Sequence, residues 1–277
     1  MWFVENYQNK SSIGIKIKKE IISEQTPFQK LDIYETESFG KLLVLDDCVM
    51  VCERDEFVYH EMITHMPLCA HPNPKKALVI GGGDGGSVRE ILKHPSIEEV
   101  VLCEIDKRVV ELCQEHMPQV AHQLINPKVK LAFEDGFEFL PNYKNYFDFI
   151  ITDSTDPVGP GAALFTQKYY QLVKESLHED GIMTCQSESP WFFADALTNL
   201  TKNICETFLH VETYIAMIPF YPSGFWTMTF ASDKYSLKNF NKEKSAAISK
   251  SCRYYNPQIH LGALALPNFA KSIIHNK

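Results

Sequence analysis

Ala77-Leu78-Val79-Ile80-Gly81-Gly82-Gly83-Asp84-Gly85-Gly86 is the stretch that decides the fold. ALVI at 77–80 is a short continuous apolar run, the pattern of a parallel strand buried on both faces. The glycines permit a tight turn and close ligand approach, and VREILKH reads as the helix that follows. Gly81, Gly83 and Gly86 satisfy the spacing G-x-G-x-x-G. Glu104 lies about twenty residues on, where an acidic side chain can hold ribose hydroxyls. A nucleoside site follows, and an NAD-dependent dehydrogenase is the first candidate. Asp84 counts against it. A carboxylate about 4 Å from a pyrophosphate oxygen, at an effective dielectric near 20, costs on the order of 4 kcal/mol. The same charge attracts an amine or a sulfonium. A plain helix cap is the other reading of Asp84.

Outward from this loop, strands and helices alternate. EEVVLCEI, VKLAF, FDFIITD and GIMTCQS read as strands, with helices at DKRVVELCQEHM, near 136–140 and around TQKYYQLVKESL. A helix at 190–208, a strand near HVETYIAMI and the run FWTMTFAS complete the series. The alternation predicts an α/β domain with a doubly wound parallel sheet and helices on both faces. Upstream the pattern changes. Ile13, Ile15 and Ile17 alternate with Gly14, Lys16 and Lys18, and FQKLDIYET, KLLVLDD and CVMVCE follow, which predicts antiparallel β-structure. Residues 1–54 are therefore expected as a small amino-terminal β-domain and 55–277 as the Rossmann-like domain. The linker helix, with Phe57, Met62 and Met66 along one face, and the breaker HPNP occupy 55–74.

In a doubly wound sheet ligands bind beyond the carboxyl ends of the strands. Acids recur there: Asp84, Glu104 with Asp106, Asp135, and Asp153 with Asp156. Such a ring should bind a polycation and push up some carboxylate pKa values by mutual repulsion. Asp153-Ser154-Thr155-Asp156-Pro157 places two carboxylates on a short turn, where they either hold an amine and take its proton or bond their own backbone. Tyr59-His60-Glu61 lies near the domain junction. A zinc reading of HEMITH fails on spacing, since His60 and His65 are five residues apart and do not share a helix face cleanly. No metal is expected. Tyr221-Pro222-Ser223-Gly224 reads as a structural turn.

Composition narrows the partners. The chain has 277 residues, 27 Lys+Arg against 35 Asp+Glu and a formal net charge of -8, without a basic block, so nucleic acid is not an expected partner. No apolar run of about 18 residues exists, so no membrane span is expected. The start MWFVENYQNK lacks the features of a signal peptide, and a cytoplasmic location is the expectation. The 8 cysteines are widely spread without a C-x-x-C pair and are expected as buried free thiols.

GGGDGG at 81–86, EID at 104–106, EDG at 134–136, DSTDPVGP at 153–160 and YPSG at 221–224 together resemble the polyamine aminopropyltransferases. ERDEFVYHEM at 53–62 and YYNPQIHLGALALPNF at 254–269 extend the likeness over nearly the whole chain. The resemblance implies a methyltransferase-like Rossmann domain with a small amino-terminal β-domain, assembled as homodimers or homotetramers. It implies transfer of an aminopropyl group from decarboxylated S-adenosylmethionine, a co-substrate rather than a cofactor, to putrescine, giving spermidine and methylthioadenosine. Glu104 would bind the ribose, Asp135 and Gly136 the adenine, and Gln29 and Asp84 the aminopropyl side. Pro160 would lie on a loop closing over the donor. Tyr59, His60, Asp84, Asp153, Ser154, Thr155, Asp156 and Tyr221 would surround the diamine, with Asp153 as proton acceptor. The chain departs from the family at Asp47, Met50 and Cys52, where Gly, Gln and Thr are expected. A putrescine N-methyltransferase and an inert nucleoside- or polyamine-binding relative share most of these motifs and stand as the alternatives.

Overall fold

The computed structural model describes residues 1–7, 11–155 and 159–274. Five antiparallel strands, β1 (Trp2–Tyr7), β2 (Ser11–Gln25), β3 (Lys30–Thr36), β4 (Lys41–Leu45) and β5 (Cys48–Cys52), form one sheet in sequence order. Along β2 the alternation is realised, with Ile15 and Ile17 buried and Gly14, Lys16 and Lys18 exposed. Asp46 and Asp47 carry the turn from β4 to β5 with φ of 47° and 63°. Two positive φ values suit a two-residue hairpin that follows the right-handed twist of its strands, so Asp47 does by local conformation what glycine does elsewhere.

Helix α1 (Glu56–Ala70) follows at once. The single apolar face expected of it is not what forms. Every residue of α1 but Phe57 is buried, because the helix packs against the helix after the glycine loop, the second sheet and the carboxy-terminal region, while its apolar side chains join the core of the first sheet. The second sheet holds β6 (Lys76–Gly81), β7 (Glu99–Cys103), β8 (Val129–Ala132), β9 (Phe147–Asp153), β10 (Leu177–Gln186), β11 (His210–Met217) and β12 (Phe225–Ser232), in the order β11-β12-β10-β9-β6-β7-β8. Its helices are α2 (Gly86–Ile91), α3 (Lys107–His116), α4 (Pro118–Ala121), α5 (Gly136–Phe139), α6 (Gln167–Ser176) and α7 (Ala194–Cys205). The chain ends in α8 (Lys242–Ser249), α9 (Pro257–Ala263) and α10 (Asn268–Ile274). The expected all-parallel sheet is corrected in one respect: β12 runs antiparallel to both β10 and β11, so the sheet is mixed. This is the methyltransferase-like doubly wound fold. The short connection 218–224 after β11 leaves room only for a hairpin, which enforces the reversed strand.

Ala77, Leu78, Val79 and Ile80 of β6 are at most 2% exposed, as a central parallel strand requires. One apolar cluster joins Leu31, Ile33 and Leu43 of the first sheet to Met62, Ile63 and Val79, so the two sheets share a core across α1. None of the eight cysteines is bridged to another. Cys52, Cys69, Cys103, Cys113 and Cys185 are buried as expected, whereas Cys205 is exposed and Cys48 and Cys252 are half-buried. Among the described residues no helix is long and apolar enough to cross a membrane.

Candidate active site

The glycine loop sets the floor of the site. Gly81 has φ +77°, and a Cβ there would meet the Asp153 carbonyl oxygen at 2.2 Å, so the loop can pass beside the end of β9 only without a side chain. The Gly82 N–H donates to that carbonyl at 2.9 Å. Gly86 fits because the His60 ring fills the space its Cβ would take, at 2.3 Å. The loop therefore brings Asp84, Asp153 and His60 together, with one donor atom of each within 4.8 Å of the others.

These three line one wall of a cavity of about 360 Å³ between the two sheets, large enough for a small-molecule site. Tyr59 Oη donates to Asp153 Oδ1 at 2.6 Å, and Ser87 Oγ donates to Oδ2 at 2.6 Å. Burial and the neighbouring Asp84 charge push the Asp153 carboxyl up, while His60 and the two hydroxyl donors pull it down, and the net direction is up. Asp84 Oδ1 accepts from the Gly86 N–H at 2.8 Å and faces His60 Nε2 at 3.1 Å. Asp84 thus lines the cavity and bonds its own loop, but it is not the helix cap: the N-cap of α2 is Gly85, without a side-chain bond. His60 Nδ1 faces Glu56 Oε2 at 2.6 Å, and Glu56 in turn pairs with Arg89 at 2.8 Å. Burial lowers the His60 pKa, but Asp84 and Glu56 outweigh it and raise it to about 10. An imidazolium beside two carboxylates is a poor metal ligand and a good electrostatic partner, so the cluster suits an ammonium ion.

The far end of the cavity is lined by Glu104, Asp135 and Gly136. Glu104, at the end of β7, accepts from the backbone N–H groups of Asp106 at 2.9 Å and Gly83 at 3.2 Å. Burial, with the Asp106 and Asp84 charges, nevertheless raises its pKa to about 7. Asp135 uses Oδ1 to cap α5 through the Phe137 N–H at 2.8 Å, and Gly136 opens that helix at the cavity edge. Gln29 reaches across from the first sheet, its Nε2 donating to Asp106 Oδ2 at 3.0 Å.

Of the expected site residues, Gln29, Tyr59, His60, Asp84, Glu104, Asp135, Gly136, Asp153, Ser154, Thr155 and Tyr221 all line this one cavity. Asp106, counted in the acid ring, does not. It caps α3 and holds Thr26 and Gln29. Tyr221 lies in the turn its own stretch predicts and also forms the cavity wall the resemblance implies: its ring packs 5.8 Å from that of Tyr59, and its hydroxyl donates to the Met50 carbonyl at 2.8 Å. Asp156 lies outside the described residues, and Pro160 belongs to a short 3₁₀ segment, Gly159–Phe165. Sequence reasoning missed Glu56, Ser87, Arg89 and Trp226. Glu56 was findable, because it stands four residues before His60 on one helix. Ser87 and Trp226 carry no such signal. Ser154 Oγ and Trp226 Nε1 are buried cavity-lining atoms without a hydrogen-bond partner among the described residues.

Two family models match the chain, the spermine/spermidine synthase domain over residues 56–244 and the spermidine synthase tetramerisation domain over 1–53. The chain belongs to the spermine/spermidine synthase family. It is 44% identical over 273 residues to a polyamine aminopropyltransferase of Thermoanaerobacter sp., covering 99% of this chain and 98% of the relative. It is 43% identical over 278 residues to one from Clostridium perfringens, covering 100% and 98%. Among solved structures, a spermidine synthase in complex with the transition-state analogue AdoDATO superposes with a TM-score of 0.98 at 38% identity, covering 100% of this chain and 96% of that one. The spermidine synthase from Thermotoga maritima gives 0.96 at 38% identity, with 100% and 95% covered.

Proposed function

We propose that this enzyme transfers the aminopropyl group of decarboxylated S-adenosylmethionine to putrescine, forming spermidine and methylthioadenosine. The observation that carries the reading is the pair of carboxylates, Asp84 and Asp153, facing one cavity whose other end offers Glu104 and Asp135 to a nucleoside. Glu104 accepts from the ribose hydroxyls, and Asp135 with Gly136 borders the adenine. Gln29 and the Asp84 carboxylate hold the aminopropyl end, and Pro160 lies on the segment that covers the donor. Tyr59, His60, Ser154, Thr155, Asp156 and Tyr221 surround the diamine.

An alkylamine with a pKa near 10.4 is almost wholly protonated at neutral pH and must lose a proton to attack. Its nitrogen forms a bond to the aminopropyl carbon next to the sulfonium. The carbon–sulfur bond breaks, and its electron pair stays on the sulfur of the neutral thioether product. Asp153 takes the amine proton, and its raised affinity for that proton suits the task. The sulfonium is a good leaving group, so positioning supplies most of the remaining rate. Asp84 also discriminates between donors: ordinary S-adenosylmethionine would present a like charge to it, the decarboxylated donor only an ammonium.

The enzyme works as a homodimer or homotetramer in the cytoplasm. A match of residues 1–53 to a tetramerisation domain supports assembly. The test is direct: purified enzyme given putrescine and the decarboxylated donor should release spermidine and methylthioadenosine in equal amounts. Inactivity with that donor, together with methylation of putrescine by the ordinary one, would replace this reading with a methyltransferase.

A further inference from the structure

His60 stands between two acceptor-only groups. Nδ1 faces Glu56 Oε2 at 2.6 Å and Nε2 faces Asp84 Oδ1 at 3.1 Å. A neutral imidazole carries one N–H, so it satisfies one of these contacts and turns a lone pair toward the other carboxylate. Both contacts are attractive only when both nitrogens carry protons. Glu56 is fixed by a second cation, since Arg89 Nη1 and Nη2 reach its two oxygens at 3.1 and 2.8 Å. The Arg89 Nε is anchored on Glu90 Oε1 at 2.8 Å. The three side chains are packed among α1, α2 and the glycine loop, and those of His60 and Glu56 are 3% and 8% exposed.

We propose that Glu56, held by Arg89, is a positioning residue that keeps the His60 ring a fixed cation, and that this cation lets Asp84 and Asp153 share one cavity as carboxylates. The inference rests on the reading of Asp153 as proton acceptor. Two buried like charges at one site drive one of them toward its protonated form, and a protonated Asp153 cannot accept a proton. The groups facing this cluster are Asp55, Glu56 and Tyr59 at α1, Asp84 in the glycine loop, Glu104 after β7, Cys113 on α3, Asp153 at the end of β9, Arg89 with Glu90 on α2, and Tyr221 against Tyr59. Within that set His60 is the cation beside Asp153, and it lowers that carboxyl directly. Glu56 is itself held down to about 2 by His60 and Arg89 against the opposing effect of burial, so it stays charged across the working range.

The experiment combines ring-nitrogen NMR of the whole ¹⁵N-histidine-labelled enzyme, assigned with a His60→Gln variant, with pH profiles of kcat/KM. In the wild-type enzyme both His60 nitrogens should keep their protons from about pH 6 to 9, although an ordinary histidine titrates in that window. In Glu56→Gln the ring should titrate inside the window. The acid limb of the profile should move up by about 1–3 pH units, the usual effect of losing an opposite charge beside a carboxylate. Arg89→Gln should move it the same way by less, and Glu56→Asp should restore part of the wild-type profile. A wild-type His60 that titrates near pH 6–7 would overturn the inference whether or not any variant folds. A folded Glu56→Gln enzyme with an unchanged ring and profile would overturn it while leaving Asp153 as the base. Near-normal turnover in Asp153→Asn would sink the base reading and this inference together.

Discussion

His60 and His65 lie five residues apart on α1, both buried and both against a glutamate, yet only His60 lines the cavity. His65 Nε2 faces Glu90 Oε2 and its Nδ1 faces His94 Nε2, each at 3.0 Å. Glu90 also meets Arg89 at 2.8 Å and Lys93 at 2.5 Å. There one carboxylate serves two cations and the His65 imidazole, and burial, with the positive charges of His65, Lys244 and Lys93, drives His94 well below its ordinary pKa. Around His60 the balance is reversed. Glu56, Asp84 and Asp153 surround one imidazole, and Arg89 alone adds a further cation. Proximity does not separate the clusters, because His65, Glu90 and Cys252 also bring donor atoms within 4.8 Å of one another. What separates them is surplus negative charge beside empty space. The protein closes the charge balance at His65 by itself and leaves the balance at His60 negative beside the cavity.

The sharpest way to break this contrast is Asp153→Asn. If the His60 cluster is a site, turnover should fall by about 10²–10⁴-fold, the usual worth of a positioned base, in steady-state assays with diamine and decarboxylated donor. Methylthioadenosine affinity should be nearly unchanged. A variant that loses stability but not rate would make the two clusters alike.

Asp84→Asn comes next. A hydrogen bond to a charged group contributes about 1.5–3 kcal/mol, so affinity for the decarboxylated donor should fall about 10- to 100-fold by calorimetry. Methylthioadenosine has no aminopropyl ammonium and should lose far less. Equal losses for the two compounds would remove the amine from Asp84.

Glu104 supplies a pH test at the opposite end of the cavity. Its folded pKa of about 7 lies above the ordinary value of 4.5. In the empty enzyme its contribution to stability is therefore fully present below about pH 4.5 and is lost as pH rises through 7. Ribose hydroxyls donate to the ionised form, so nucleoside binding should have the opposite dependence. Methylthioadenosine affinity should weaken by up to about tenfold per pH unit below 7, with proton release on binding, and level off above it. Calorimetry in buffers of different ionisation enthalpy reads that proton. A flat affinity from about pH 5.5 to 8 would leave Glu104 outside the nucleoside site.

The sequence made the centre of the second sheet legible because β6 and β7 carry unbroken apolar runs, ALVI and VVLC, that end in a glycine- or acid-rich break. Its reversed strand β12 was not legible, since period and burial look the same in either direction. The strand-end acids announced the cavity, but Asp106 shows that position does not settle direction: its side chain turns back to cap α3. Tyr221 reads by itself as part of a turn and is named only through the resemblance, while Trp226 hid inside an apolar strand. Tyr221 reaches the cavity because the 218–224 turn folds back over the first sheet, where its ring meets Trp226 of β12, and no local pattern records a contact over that distance. The charge balance that distinguishes His60 from His65 is likewise assembled from four separate segments of the chain.

The smallest expected effect on catalysis comes from the closed cluster. His94→Ala removes the neutral partner of His65 and leaves a buried ring nitrogen unsatisfied, which costs about 1–3 kcal/mol. For a chain of this size, thermal unfolding should move down by roughly 2–4 °C for each kcal/mol. His94 contacts neither Glu56 nor the cavity wall, and Arg89 keeps its bonds to both glutamates, so kcat and both KM values should stay within about twofold of wild type. A destabilised enzyme with normal kinetics would show that a buried, charge-rich histidine cluster on this helix is packing alone. A kinetic defect matching that of Glu56→Gln would instead mean that Glu90 and Arg89 couple the two clusters into one electrostatic unit. The boundary of the site would then have to be drawn behind His94 rather than at Glu56.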